Sequence, residues 1–109
     1  MHDPRLDRLA EILIDHSCRL QAGENILIEA FDLPETTLVC RLIELANQRG
    51  AHPFVIWKNN EILRTLYRNG TEVNLTQAGQ FEAAQMEKMQ AYIGIRGAAN
   101  SAQFSDVPQ

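Results

Sequence analysis

The chain has 109 residues, 45% of them apolar, with fourteen acids against ten bases for a net charge of −4. That length and composition specify one domain with a single core and exclude a disordered chain. The bases, from Arg5 to Arg96, are scattered, which argues against a nucleic-acid partner, and no apolar run approaches the ~20 residues of a membrane span.

The first predicted helix runs from about Pro4 to Leu20. Asp3 can cap it, and Pro4 occupies the first turn, where its missing N–H is harmless. Leu6, Leu9, Ala10, Leu13, Ser17 and Leu20 recur at helical spacing and make the buried face. Asp15 and Arg19 are spaced to pair on the outer face. Ile12 and Ile14 widen the apolar side, and Gly23 stops the helix. The next stretch, Asn25–Phe31, is an apolar run between turn signals. It reads as a buried strand of a parallel sheet, with Ile26–Ile28 at its centre.

Asp32-Leu33-Pro34-Glu35 resembles a capping arrangement for a second helix ending near Arg49 and burying Leu38, Val39, Leu42, Ile43 and Ala46. Gly50 ends it, and Ala51–Trp57 is the second strand. Asn59 or Asn60 caps a short third helix carrying Ile62, Leu63, Leu66 and Tyr67. Asn74 caps a fourth, weaker in pattern, to about Gln90. Ala91–Arg96 is the third strand, after which the chain is polar and aperiodic. Strands alternating with helices call for an α/β fold: three layers, α/β/α, about four helices and a small, mostly parallel sheet in the order 2-1-3. Such a sheet leaves two open edges.

The chemistry looked for in such a fold is sparse. The first crossover holds Phe31-Asp32-Leu33-Pro34 where a phosphate loop needs glycines, so nucleotide binding is a poor reading. His2, His16 and His52 are isolated, and the spacing of His16 reads as a partly buried structural residue. Cys18 and Cys40 make no metal spacing, and the chain opens with no secretory signal, so a reduced, cytoplasmic setting is the expectation. Glu29 lies on the central strand and requires a partner or a raised pKa, unless the strand end opens to solvent. From the residues alone, a stand-alone interaction or regulatory module remains the alternative to an enzyme domain.

Three segments carry a resemblance: Asp3-Pro4-Arg5-Leu6 through Gly23-Glu24-Asn25-Ile26-Leu27-Ile28, then Arg49-Gly50-Ala51-His52-Pro53, then Tyr92–Asn100 with Ser105–Pro108. In this order they resemble the start of the M29 family, the thermophilic-type metallo-aminopeptidases that include aminopeptidases T and S and act as leucyl aminopeptidases. The resemblance implies a cytoplasmic, dimeric exopeptidase that removes N-terminal residues from peptides with two divalent metal ions of the Zn, Co or Mg type. The family's ligands lie in a C-terminal catalytic domain with no counterpart here. Residues 1–97 are therefore expected to be the N-terminal α/β domain and residues 98–109 a linker, with no catalytic or metal-binding residue in this chain and no activity from the chain alone. The implied role is to help enclose the active-site cavity. Phe31, Asp32, Trp57, Lys58 and Arg96, at the carboxyl ends of the strands, are the expected contacts with the catalytic domain or substrate.

Overall fold

A computed structural model describes residues 3–97 and 102–103. Helix α1, Pro4–Glu11, opens as its sequence dictates, with the Asp3 carboxylate accepting from the Arg5 N–H at 2.9 Å. From Ile12 to Ser17 it widens into a π-helix, the Cys18 N–H reaching the Leu13 carbonyl at 2.9 Å. The wider turn shifts the buried register by one residue. Cys18 therefore packs on the core where a regular helix would have placed Ser17, and Ser17 and His16 are exposed. The structural role expected for a partly buried His16 does not materialise. Ile14 is fully buried and Ile12 is not.

Strand β1, Asn25–Phe31, is flanked by two parallel strands, β2 (His52–Lys58) and β3 (Ala91–Gly97). The order is β2-β1-β3, as the pattern implied, with a two-residue antiparallel β4 (Ala102–Gln103) added beside β3. β4 falls in the stretch expected to be a linker; residues 98–101 and 104–109 lie outside the described residues.

Alternation along β1 sends Ile26, Ile28 and Ala30 to one face, where they meet Ile93 and Ile95 of β3. Ala10 and Ile14 pack against them with Leu38, Val39, Leu42, Leu45 and Ala46 of helix α2, Thr37–Gln48. This is the core. Arg49, at the end of α2, holds Asp15 through two hydrogen bonds of 2.8 and 2.7 Å, tying the first helix to the second. That contact replaces the Asp15–Arg19 pair expected from spacing, and the guanidinium bonds hold the Asp15 carboxyl below the usual carboxylate range.

The other face is thinly covered. Helices α3 (Asn60–Asn69) and α4 (Glu72–Glu87) bury no residue fully. α4 lies over β1 and β2, with Glu82, Gln85 and Met86 turned toward Leu27, Glu29 and Ile56. Asn59 caps α3 as expected, accepting from the Ile62 N–H at 3.1 Å. Thr71 rather than Asn74 caps α4, its hydroxyl accepting from the Asn74 N–H.

Asp32 departs from its expected role. It takes a left-handed φ of 54° and its carboxylate accepts from the Asn60 N–H at 3.0 Å, so it fixes the entry to α3. Thr36 precedes α2 and makes no side-chain cap. The turn out of β1 is tight, because a Cβ on Gly97 would collide with the Asp32 carbonyl. Only glycine allows β3 to end against that turn.

Candidate functional site

Parallel register aligns Phe31 on β1 with Lys58 on β2 and Arg96 on β3. The three side chains form a row across the carboxyl end of the sheet, on the α4 face. Both cations lie over the Phe31 ring, the Arg96 guanidinium at 4.3 Å and the Lys58 ammonium at 5.5 Å from its centre. The aromatic face attracts them electrostatically. Among the described residues the Arg96 guanidinium makes no hydrogen bond or ion pair, so beyond the Phe31 ring it is available to an anionic or carbonyl group.

Two residues before Phe31 on the same face of β1, Glu29 supplies the counter-charge. Its carboxylate accepts from the Lys58 ammonium at 2.6 Å and from the Tyr92 hydroxyl at 2.6 Å. The Glu29 and Lys58 side chains are 13% and 19% exposed, so the pair is largely shielded from water. A second carboxylate, Glu82 on α4, approaches the same ammonium at 3.2 Å and latches the helix to the sheet. Gly94 makes the Tyr92 contact attainable. It aligns with Glu29 in register, and a Cβ there would stand 2.9 Å from the Tyr92 hydroxyl. The Tyr92 ring lies in the space a side chain at position 94 would fill. A cavity of about 150 Å³ opens beside the cluster, with Leu27, Ile56 and Met86 as its apolar wall.

Burial, and then the bond to Glu29, push the Tyr92 phenol above its ordinary value. Burial works against the Lys58 ammonium, but its bonds to Glu29 and Glu82 outweigh this and raise its pKa. Both groups are thus held in their protonated forms by the fold. Unfolded Tyr and Lys titrate near ~10. Stability from this cluster is therefore fully present below about pH 10 and is lost as pH rises through the higher folded-state values. We expect the denaturant midpoint to fall between pH 9 and 11, and Tyr92→Phe to show a shallower fall than the parent chain. Equal slopes for the two proteins would remove Tyr92 from the cause.

Of the five residues the sequence singled out, the structure brings three together, Phe31, Lys58 and Arg96. Trp57 alternates onto the opposite face of β2, where it is half-exposed, and Asp32 holds the α3 turn. Glu29 stood out in sequence as an acid on a buried strand, and its partners are now identified. Tyr92 and Glu82 carried no comparable signal, since only the fold places them beside Glu29. The Cys18 thiol is pushed up to about 11 by burial, which makes it a packing residue and not a nucleophile.

Fold and site together define a small doubly covered α/β domain with a charged, aromatic-centred row at the carboxyl end of its sheet. The chain belongs to the thermophilic metalloprotease (M29) family, whose profile matches residues 2–109. Among solved structures it is similar to wild-type AmpT from Thermus thermophilus, at 23% identity and a TM-score of 0.64, over 85% of this chain. The match covers 24% of that chain, so the present sequence spans about a quarter of the solved protein's length. No curated protein matches the chain.

Membership of this family implies divalent metal in the parent enzyme. The described residues do not fit such a centre: no three His, Cys, Asp or Glu side chains among them converge on one point. Glu29 and Glu82 do approach one point, but the Lys58 ammonium occupies it. Among the described residues, no helix is long and apolar enough to cross a membrane.

Proposed function

We propose that this chain is the N-terminal accessory domain of a cytoplasmic, dimeric metal-dependent aminopeptidase that removes N-terminal residues from peptides. In this reading two divalent ions of the Zn, Co or Mg type are held by a separate C-terminal catalytic domain. The present domain supplies one wall of the cavity that admits peptide, and residues 98–109 lead toward the catalytic part. The observation that carries the reading is the family match over essentially the whole chain, set beside a solved relative of which the matched part makes up 24%. The row Lys58–Phe31–Arg96 is the surface we assign to the contact. It lies beyond the carboxyl ends of the strands, where sheets of this kind meet ligands, and Arg96 offers unused donors.

The test is a chimera in which this chain replaces the N-terminal domain of a full-length family aminopeptidase. The chimera should retain metal-dependent release of leucine from leucyl peptides. Arg96→Glu in it should raise KM several-fold with little change in kcat, because a wall contact affects entry more than chemistry. The 109-residue chain alone, given Zn²⁺ or Co²⁺, should release nothing. Metal-dependent turnover by the chain alone, surviving repurification, would place the active site here and overturn the reading, as would a folded but inactive chimera.

A further inference from the structure

The row at the carboxyl end of the sheet treats its two cations differently. Lys58 is fully engaged, with Glu29 at 2.6 Å and Glu82 at 3.2 Å from its ammonium. Arg96 is exposed, and its guanidinium meets the Phe31 ring at 4.3 Å with no oxygen acceptor among the described residues. The acid at the exit from β1 is already spent, because Asp32 accepts from the Asn60 N–H at 3.0 Å.

The guanidinium is nonetheless held in place. Phe31 is only 8% exposed, so the ring beneath it is a fixed platform shielded from water. Arg96 aligns with Phe31 of β1 on one side and with Gln103 of β4 on the other, which pins the backbone that carries it. Gly97 then ends the strand against the Asp32 turn. A ring face attracts a cation but supplies no oxygen acceptors, so the N–H fork stays open to a ligand.

We infer that Arg96, seated on Phe31, binds one carboxylate group. The fork of a guanidinium matches the two oxygens of a carboxylate. Charge favours this monoanion over a phosphate, which would bring about twice the negative charge up to Glu29 and Glu82. The exit from β1, Phe31-Asp32-Leu33-Pro34, also has no glycine whose N–H could share a phosphate. Two sources of a carboxylate lie within the accessory-domain reading: the C-terminus of a short peptide in the cavity, and an acidic side chain of the catalytic domain. That choice rests on the reading. The binding itself does not.

The probe is N-acetylglycine, titrated at fixed ionic strength into the isotopically labelled 109-residue chain and followed by NMR. The Arg96 Nε–H and Gly97 N–H resonances should shift and saturate, whereas N-acetylglycinamide should leave them in place. Arg96→Gln should raise the half-saturating concentration, read at Gly97, about tenfold or more, as loss of a charge-assisted contact implies. Arg96→Lys, which keeps the charge but not the fork, should weaken binding severalfold. Far-UV circular dichroism should be unchanged in both variants. No saturable shift, an equal response to the amide, or a response that survives Arg96→Gln would overturn the inference. The chimera separates the sources. A preference for leucylglycylglycine over its C-terminal amide, lost on Arg96→Gln, identifies the peptide. No preference, with Arg96→Gln lowering the chimera's unfolding midpoint more than this chain's, identifies the catalytic domain. An active chimera showing neither effect would also overturn the inference. An inactive chimera would overturn the accessory-domain reading alone, and the titration of this chain would still decide the carboxylate site.

Discussion

Lys58→Met is expected to destabilise the fold by about 3 kcal/mol, toward the lower end of what breaking a buried ion pair costs. The ammonium bonds Glu29 at 2.6 Å and Glu82 at 3.2 Å, so the substitution strands one shielded carboxylate and releases the latch on α4. The lower end applies because the Lys58 and Glu29 side chains keep 19% and 13% exposure, enough for water to take up part of the lost interaction. Glu29 also keeps the Tyr92 hydroxyl as a donor. Adding Glu29→Leu to Lys58→Met should recover part of the loss, since no shielded carboxylate is then left unpaired, Glu82 being 57% exposed, while the Tyr92 hydroxyl loses its acceptor. A double-mutant cycle from urea unfolding measures this directly. A coupling near zero would show that Lys58 acts through packing along its stem and not through its charge.

Ile28→Ala should cost about 4 kcal/mol, within the range for deleting a buried aliphatic side chain that leaves a cavity. Ile28 is fully buried between α1–α2 and the sheet, among Ile14, Leu42 and Ile93. Leu27→Ala, one residue away, should cost about 2 kcal/mol, the lower limit of that range. Leu27 is equally central in sequence, but it faces the α4 side, where a cavity of about 150 Å³ already lies beside it. New space there adds to an open region instead of creating a void in a closed one. The difference between the two variants measures how unevenly the sheet is covered. Equal losses would mean that α4 packs as tightly as α1 and α2. The exposure of Phe81 at 73% and Tyr67 at 65% points the other way.

The proposed place of the domain in a larger enzyme bears on that unevenness. A chain that spans about a quarter of a similar solved protein is expected to leave apolar surface for other parts to cover. Ile62, Leu66 and Tyr67 on α3 show it, forming the helix's apolar side yet remaining 50–65% exposed. Their spacing identified the helix correctly and implied burial that this chain does not provide.

What the sequence determined by itself was set by local rules. Apolar runs between turn residues marked β1, β2 and β3, helical spacing marked α1 to α4, and Asp3 and Asn59 capped where their side chains reach the nearest free N–H groups. The strand order followed from crossovers that admit few arrangements. The tertiary structure alone decided the matters that depend on residues far apart in the chain. Asp32 had two partners within reach, the start of α2 and the start of α3, and packing of the β1 turn against Gly97 accompanied the choice of Asn60. Ser17 lost its buried place to Cys18 because a π-helical turn at Ile12–Ser17 widened the helix by one residue. Phe31, Lys58 and Arg96 came together, while Trp57 did not, because parallel register sets which side chains share a face. Glu29 found Tyr92 across 63 residues of sequence, a contact for which no local pattern exists, since its energy appears only once both strands are paired.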